Sequence, residues 1–470
     1  MLEWDKLLCE KRQRPSGAEK DARENSLITR NAFEADYDRI VGSSSVRRLQ
    51  DKAQVFPLQE NDFTRTRLTH SIEVSAMARS LGKSVGKQLE QRKDVGFTSE
   101  MTEKLEALLQ TAGLIHDLGN PPFGHYGETV IREWFKSWFD SNELLSQEAL
   151  LSEQEKNDFL YFDGNVQNIR IITKLQTLND KYGANFTYAT IASVMKYPYK
   201  SSGMPKGKKK FGYFKSEEHI IEDVFRNVGI TEGIRHPAAY LLEAADDIIY
   251  VCDDIEDGVK KGYIEWEACY KEIRAEFLNE YKELFDAIDN KKPCDDMGAQ
   301  DQKLARVRNF RNLVQTYLFK NAVQEFLDNY NSIMAGEYNN ELLIRDEKLI
   351  DYLKKEVTGK NCFCSHEVLA LELVGDKVIK TLLDIFVNAV VTNEGEILTN
   401  PSKYPGKVFS LISSNFVFIA KQDYEKDRLR KLDELSIYDR LHLVVDYISG
   451  MTDSFAVNLY KELTGISIPE

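Results

Sequence analysis

No run of about 18 consecutive apolar residues occurs in the chain, which excludes an ordinary membrane-spanning helix. The opening segment MLEWDKLLCEKRQR is charged throughout and lacks the apolar core of a secretory signal, so a cytoplasmic protein is expected. Cysteine is scarce, with 6 in 470 residues, irregularly spaced and without a CxxC pair. That pattern fits a reducing compartment better than a disulfide framework, and Cys362 and Cys364 read as two incidental thiols. Positive charge is in deficit: 62 Lys and Arg stand against 76 Asp and Glu, a net −14. Such a surface disfavours non-specific binding to nucleic acid or anionic lipid, so any anionic substrate must meet a local basic pocket or a metal. Internal repeats and low-complexity tracts are missing, and strand patterns are short and scattered.

What is present is apolar material, 42% of residues, arranged with helical periodicity. Between Leu68 and Leu89, residues Val74, Met77, Ala78, Leu81 and Val85 form one stripe. Leu105, Leu108, Leu109, Ala112 and Ile115 form a second, and a third helix is predicted from Pro237 to a stop at Gly258. Further helices are expected near 263–290, 301–330, 340–356, 366–388, 425–447 and 452–463, separated by loops such as NPPFGHYGE at 120–128 and KKPCDDMG at 291–298. The expected fold is all-α, divided into a body over 1–265 and a helical C-terminal region over 266–470.

Only seven His occur, and three of them, His70, His116 and His125, fall within one short stretch. His70 precedes Val74 by one helical turn and shares its inward face, while His116 ends the second stripe and is followed by Asp117. One inward His is usually a hydrogen-bonded core residue. Two on separate stripes, one beside an Asp, point elsewhere, and Asp246 lies on the third stripe between Leu242 and Tyr250. Two imidazoles and two carboxylates converging from separate helices would bind a divalent ion, with Mn²⁺, Mg²⁺ or Fe²⁺ suited to mixed N/O ligation.

The text around these residues is more specific. R-T-R-L-T-H at 65–70, H-D-L-G-N-P-P-F-G-H-Y-G-E at 116–128 and E-A-A-D-D-I-I-Y-V-C-D-D-I-E-D at 243–257 resemble the HD-domain metallohydrolases, and among them the deoxyguanosine triphosphate triphosphohydrolase (dGTPase) family. The resemblance extends through R-R-L-Q-D-K-A-Q-V-F-P at 47–57, D-G-N-V-Q at 163–167, F-G-Y-F-K-S-E-E at 211–218 and D-Y-I-S-G-M-T-D at 446–453. It implies an HD-domain helical core and residue roles. His70, His116, Asp117 and Asp246 match the metal ligands; Mn²⁺ or Mg²⁺ is expected, with Fe²⁺, Co²⁺, Ni²⁺ and Zn²⁺ as alternatives. His125 and Glu128 match the catalytic pair, the imidazole as general acid and the carboxylate holding its ring. The alternative for Glu128 is a cap on a helix beginning near Tyr126. Arg67, Lys196, Lys210, Asn120 and Asn165 match positions beside the phosphates, Tyr250 and Asp254 match groups that close on the sugar, and Gln54 matches a contact to the 3′-hydroxyl. Departures are Ala53 where Thr is common, DGNVQN for EGNAQ, and Ser454 where Arg is frequent.

The reaction so implied is metal-assisted attack of hydroxide on the α-phosphorus of a deoxynucleoside triphosphate, releasing deoxynucleoside and tripolyphosphate. A triphosphate carries about four negative charges, and its transfer is governed by positioning and charge stabilisation. Two other readings stay open: an HD phosphatase for nucleoside monophosphates, and a non-catalytic nucleotide sensor or single-stranded nucleic-acid binder on the same fold. The acidic balance disfavours the binder, which needs a positive groove. The resemblance further implies a homo-oligomer, dimer-based and extending to a tetramer or hexamer, with a nucleotide effector compatible with subunit boundaries.

Overall fold

Thr66 and Thr98 begin the two helices on which the site is built. The Thr66 hydroxyl oxygen accepts from the Thr69 N–H at 3.4 Å while the Thr69 hydroxyl oxygen accepts from the Thr66 N–H at 3.0 Å, a reciprocal cap that opens α1 (Arg67–Glu90). The Thr98 hydroxyl accepts from Met101 N–H at 3.3 Å and opens α2 (Ser99–Ile115). In this computed structural model, which describes residues 1–14, 29–54, 65–142, 151–176, 180–391, 395–424 and 426–467, both predicted stripes are buried. Val74, Ala78, Leu81, Val85, Leu105, Leu108, Leu109, Ala112 and Ile115 are all at 0% exposure. Full burial of each large apolar side chain contributes about 1.5–3 kcal/mol. Met77 lies at the stripe's partly buried edge. Gly113 allows the two backbones to touch, because a Cβ there would stand 2.6 Å from Ser75 Cα. The antiparallel pairing sets His70, in the first turn of α1, beside His116, just after the last turn of α2.

The other elements that frame the site are α3 (Gly124–Ser141), α4 (Gly164–Arg170), α5 (Pro237–Lys260), α6 (Ala299–Asp328), α7 (His366–Val391), α8 (Ile437–Ser449) and α9 (Asp453–Leu463). Helix α5 lies across α1 and α2 and along α6, and these four share one apolar core. Helices α3, α7, α8 and α9 share a second. The connection 116–123 therefore runs from one core to the other, and the candidate site residues gather along it. A buried charge network ties the halves of the second core. Arg170, at the end of α4, donates to both Asp446 carboxylate oxygens of α8 and at 2.8 Å to Glu217. Bidentate pairing of this kind offsets the hydration these ions lose on burial.

The fold is all-α, as expected; the strands among the described residues are Gln422–Asp423 and Arg428–Leu429, paired antiparallel. Several boundaries differ from the sequence reading. The stretch 263–290 breaks into Trp266–Phe277 and Lys282–Asn290. Residues 340–356 become α-helical only at Glu347–Tyr352 and continue as a wider turn over Leu353–Phe363. The helix expected over 425–447 begins at Ile437, where Ser436 and Asp439 form a reciprocal cap; before it, Arg428–Leu429 is the second strand of the short hairpin and Leu432–Glu434 a 3₁₀ turn, and residue 425 lies outside the described residues. Helix α5 passes Gly258 and ends at Lys260. That glycine serves packing instead of termination, since a Cβ would lie 2.6 Å from Cys362 Sγ. Residues 55–57 of the 47–57 motif are outside the described residues. All six cysteines are free, and no described helix is long and apolar enough to cross a membrane.

Candidate metal centre and active site

Helices α1, α2 and α5 bring His70, His116 and Asp246 together, with one ligand atom from each lying within 4.8 Å of the others. The His70 Nε2 is 3.0 Å from Asp246 Oδ1, and the two imidazole rings stand 5.4 Å apart. His116 Nδ1 donates to the Gly113 carbonyl at 2.8 Å, which leaves the lone pair on Nε2. That Nε2 is buried and has no hydrogen-bond partner among the described residues; Asp117 and Asp246 approach it only to 3.6 Å. A buried orphaned acceptor aimed at a second imidazole and a carboxylate fits a divalent cation, and the mixed donor set accepts several first-row ions as well as Mg²⁺. Burial opposes charge on His116, but Asp117 and Asp246 outweigh it and raise its pKa to about 9 with no cation between them.

Asp117 stands at the edge of this trio. Its Oδ2 accepts from Arg67 Nη1 at 2.7 Å and its Oδ1 from Asn120 Nδ2 at 2.6 Å. Burial raises its pKa, yet His116 and Arg67 hold it at about 2. Asp246, expected to be buried, has a side chain 37% exposed, so the trio opens towards solvent on the α5 side. That opening suits a centre that must admit a ligand.

The connection from Asp117 to His125 is shaped by close approaches. Gly119 abuts α4, where a Cβ would fall 2.0 Å from the Gly164 carbonyl oxygen. Phe123 adopts φ +62°, the left-handed region, which costs a non-glycine residue about 1–2 kcal/mol. His125 follows in the first turn of α3 with a side chain 77% exposed, and its Nδ1 lies 3.3 Å from Glu128 Oε2. The Glu128 hydrogen bond raises the His125 pKa. Helix α3 begins at Gly124, so Glu128 sits a turn inside it and is not a cap. Glu128 is 3% exposed, and its other oxygen accepts from Gly164 N–H at 2.8 Å.

The expected phosphate-facing cations are each held by a carboxylate. Lys196 pairs with Glu243, one turn before Asp246 on α5; Lys210 is 3.0 Å from Asp163, and its side chain is 46% exposed. Asp163 also accepts from the Asn165 amide at 2.7 Å. Lys196 and Lys210 lie 5.8 and 6.0 Å from the Tyr197 ring, so one tyrosine marks where the two loops meet. Arg67 is 5% exposed and reaches towards α3, since a Cβ on Gly124 would lie 2.6 Å from its Nη2. Tyr250 lies one turn before Asp254 on α5, and burial followed by the nearby Asp257 pushes the Asp254 carboxyl well above the usual range. Gln54 is partly buried, and among the described residues its Oε1 has no hydrogen-bond partner.

Lys52 and Asp453 were missed by sequence reasoning: a lone Lys and a helix-start Asp look like surface residues. Both are buried, at 3% and 2% exposure, and bond to the loops described here. Lys354, whose ammonium sits 5.4 Å from the Tyr250 ring and pairs with Asp247, was also missed. A separate cavity of about 560 Å³, lined by Arg170, Lys174, Tyr424, Arg430 and His442 among others, contains none of the predicted site residues.

Comparison with known proteins agrees with this picture. The HD domain profile matches residues 67–172, which include α1, α2, α3 and α4, and the phosphohydrolase-associated domain profile matches residues 418–462. A deoxyguanosinetriphosphate triphosphohydrolase-like protein of Listeria innocua is 38% identical over 99% of this chain and 100% of its own length. The deoxyguanosinetriphosphate triphosphohydrolase of Yersinia enterocolitica is 32% identical, covering 96% of this chain and 97% of its own. A triphosphohydrolase-like protein of Pseudomonas aeruginosa is 31% identical over the full length of both. With full-length identity at this level, and with His70 and His116 inside the matched region and Asp246 brought to them by α5, the chain belongs to the deoxyguanosinetriphosphate triphosphohydrolase family of HD-domain proteins.

Proposed function

We propose that this protein is a metal-dependent deoxynucleoside triphosphate triphosphohydrolase that converts a dNTP into deoxynucleoside and tripolyphosphate and so limits the dNTP pool. The observation that carries the reading is the exposed His125, backed by a buried Glu128, on the helix that follows directly from the loop bearing His116 and Asp117. His70, His116, Asp117 and Asp246 would hold the ion. When bound, a divalent cation supplies charge to the phosphoryl oxygens and lowers the pKa of water beside them.

The remaining work falls to this chain's own groups. Glu128 fixes the Nδ1–H of His125, so that Nε2 presents a proton to the departing 5′-oxygen. Arg67, Asn120, Asn165, Lys196 and Lys210 supply the phosphate contacts, with Lys196 and Lys210 exchanging Glu243 and Asp163 for phosphate oxygens. Tyr250 and Asp254 close on the sugar, where a ring at the 2′ position disfavours a ribose hydroxyl. The partnerless Gln54 Oε1 accepts from the 3′-hydroxyl. A cytoplasmic homo-oligomer accords with this reading.

The test is to incubate purified protein with each of the four dNTPs, with GTP and with the four deoxynucleoside monophosphates, in Mn²⁺ or Mg²⁺, and to resolve the products by chromatography. Deoxynucleoside plus tripolyphosphate is the expected outcome, with GTP left intact. Orthophosphate released from nucleoside monophosphates, with dNTPs untouched, would replace this reading by the phosphatase.

A further inference from the structure

We propose that Asp453 is a positioning residue, a two-pronged clamp that sets the Gln54 and His125 loops in register. It rests on the reaction proposed above. Asp453 is the first residue of α9, far in sequence from either loop, and is 2% exposed. One of its oxygens accepts from the Phe123 N–H at 3.0 Å and the other from the Ala53 N–H at 3.0 Å. Ala53 directly precedes Gln54; Phe123 lies two residues before His125 and is the left-handed residue whose turn starts α3.

A second pair works in parallel. The buried Lys52 ammonium donates to the carbonyl of Asn120, which lies on the His125 loop, and to the carbonyl of Ser449 at 3.1 Å, at the end of α8. Its own carbonyl accepts from Arg67 N–H at 3.0 Å, at the start of α1. Carboxylate and ammonium thus each bridge the 52–54 segment, the His125 loop and the C-terminal helices. The Phe123 conformation is one that a phenylalanine does not favour by itself, so an acceptor fixed from outside the loop is what holds its N–H in place. Only a carboxylate can accept from both N–H groups. An amide at the same place would accept one and turn its own NH₂ towards the other.

Asp453→Asn is therefore expected to lower kcat at least about tenfold while bound metal and the melting temperature stay near the parent's. The decisive step is a double-mutant cycle with His125→Ala, because groups that act as a unit are non-additive. If Asp453 acts by placing His125, Asp453→Asn changes kcat less than about twofold once His125 is alanine. Losses that multiply would overturn the proposal and leave a general structural role. Ser454→Ala, which removes the neighbouring hydrogen bond to Asp51, should leave kcat unchanged. Hydrogen exchange read by mass spectrometry judges the clamp without turnover: exchange at the Ala53 and Phe123 amides should accelerate in Asp453→Asn, and parental exchange at both would overturn it. Should Asp453→Asn not fold, Asp453→Glu, with both acceptors on a longer arm, takes its place in both assays. Full activity in His125→Ala would instead refute the proposed acid, while the exchange result would still decide on the clamp.

Discussion

The His70, His116 and Asp246 trio and the His125, Lys196 and Lys210 rim are assembled differently. The trio sits on helix faces whose apolar stripes are buried except at the edges, Met77 and Tyr250, with His70 itself at 2% exposure. The rim stands on helix starts and loops, where the His125 side chain is 77% exposed and both lysines are tied to carboxylates of other segments. The trio leaves His116 Nε2 without a hydrogen-bond partner among the described residues, whereas the rim keeps its charges neutralised by carboxylates. A centre that holds an ion throughout turnover benefits from rigidity. Groups that meet a highly charged substrate and then release its product need partners they can exchange.

That contrast can be broken by substitution. The largest effect is expected from His116→Ala, which should abolish both bound metal, read by elemental analysis, and turnover; metal retained at the parental level would contradict the trio's role. His125→Ala should keep the metal yet lose about 10²–10⁴-fold in kcat, the usual worth of general acid catalysis. Simultaneous loss of metal there would merge the two regions into one.

The buried interior also sets the acid limb of stability. His236, at the start of α5, is fully buried, with Nε2 facing the Leu7 carbonyl at 2.9 Å and Nδ1 accepting from Ala238 N–H. Burial lowers its pKa to about 4 from 6.5. Below 6.5 the unfolded chain takes up a proton that the folded chain refuses, so stability falls as pH drops from 6.5 to 4, by on the order of 3 kcal/mol. Denaturant titrations across that window should show the slope, and His236→Asn should flatten it even though it weakens the fold at pH 7. The smallest effect belongs to the rim: Lys196→Ala and Lys210→Ala should each raise KM about tenfold through a lost charge-assisted contact, with bound metal unchanged.

The legible parts of the sequence were those governed by local spacing. His70, His116 and Asp246 each fall on a 3.6-residue stripe, and the stripes gave the inward direction of His70 before any partner was known, whereas Asp246 turned out 37% exposed. The loop motif 116–128 declared His125 and Glu128 by resemblance, but not that Glu128 would reach Gly164. Pairings between distant segments, such as Lys196 with Glu243 and Lys52 with Asn120, leave no local periodicity to read. The late start of α8 was obscured because 425–436 carries enough charged and apolar residues to imitate helix, while the Ser436–Asp439 cap that sets its boundary is a three-residue signal. Gly258 misled for a similar reason: a glycine needed for contact with Cys362 looks the same in sequence as one that ends a helix.

The most direct measurement is hydrolysis of the preferred dNTP in ¹⁸O-labelled water, with both products analysed by mass spectrometry. Attack at the α-phosphorus, with His125 protonating the departing 5′-oxygen, predicts one labelled oxygen in tripolyphosphate and none in the deoxynucleoside. Label in the nucleoside hydroxyl, or pyrophosphate in place of tripolyphosphate, would contradict the proposed reaction.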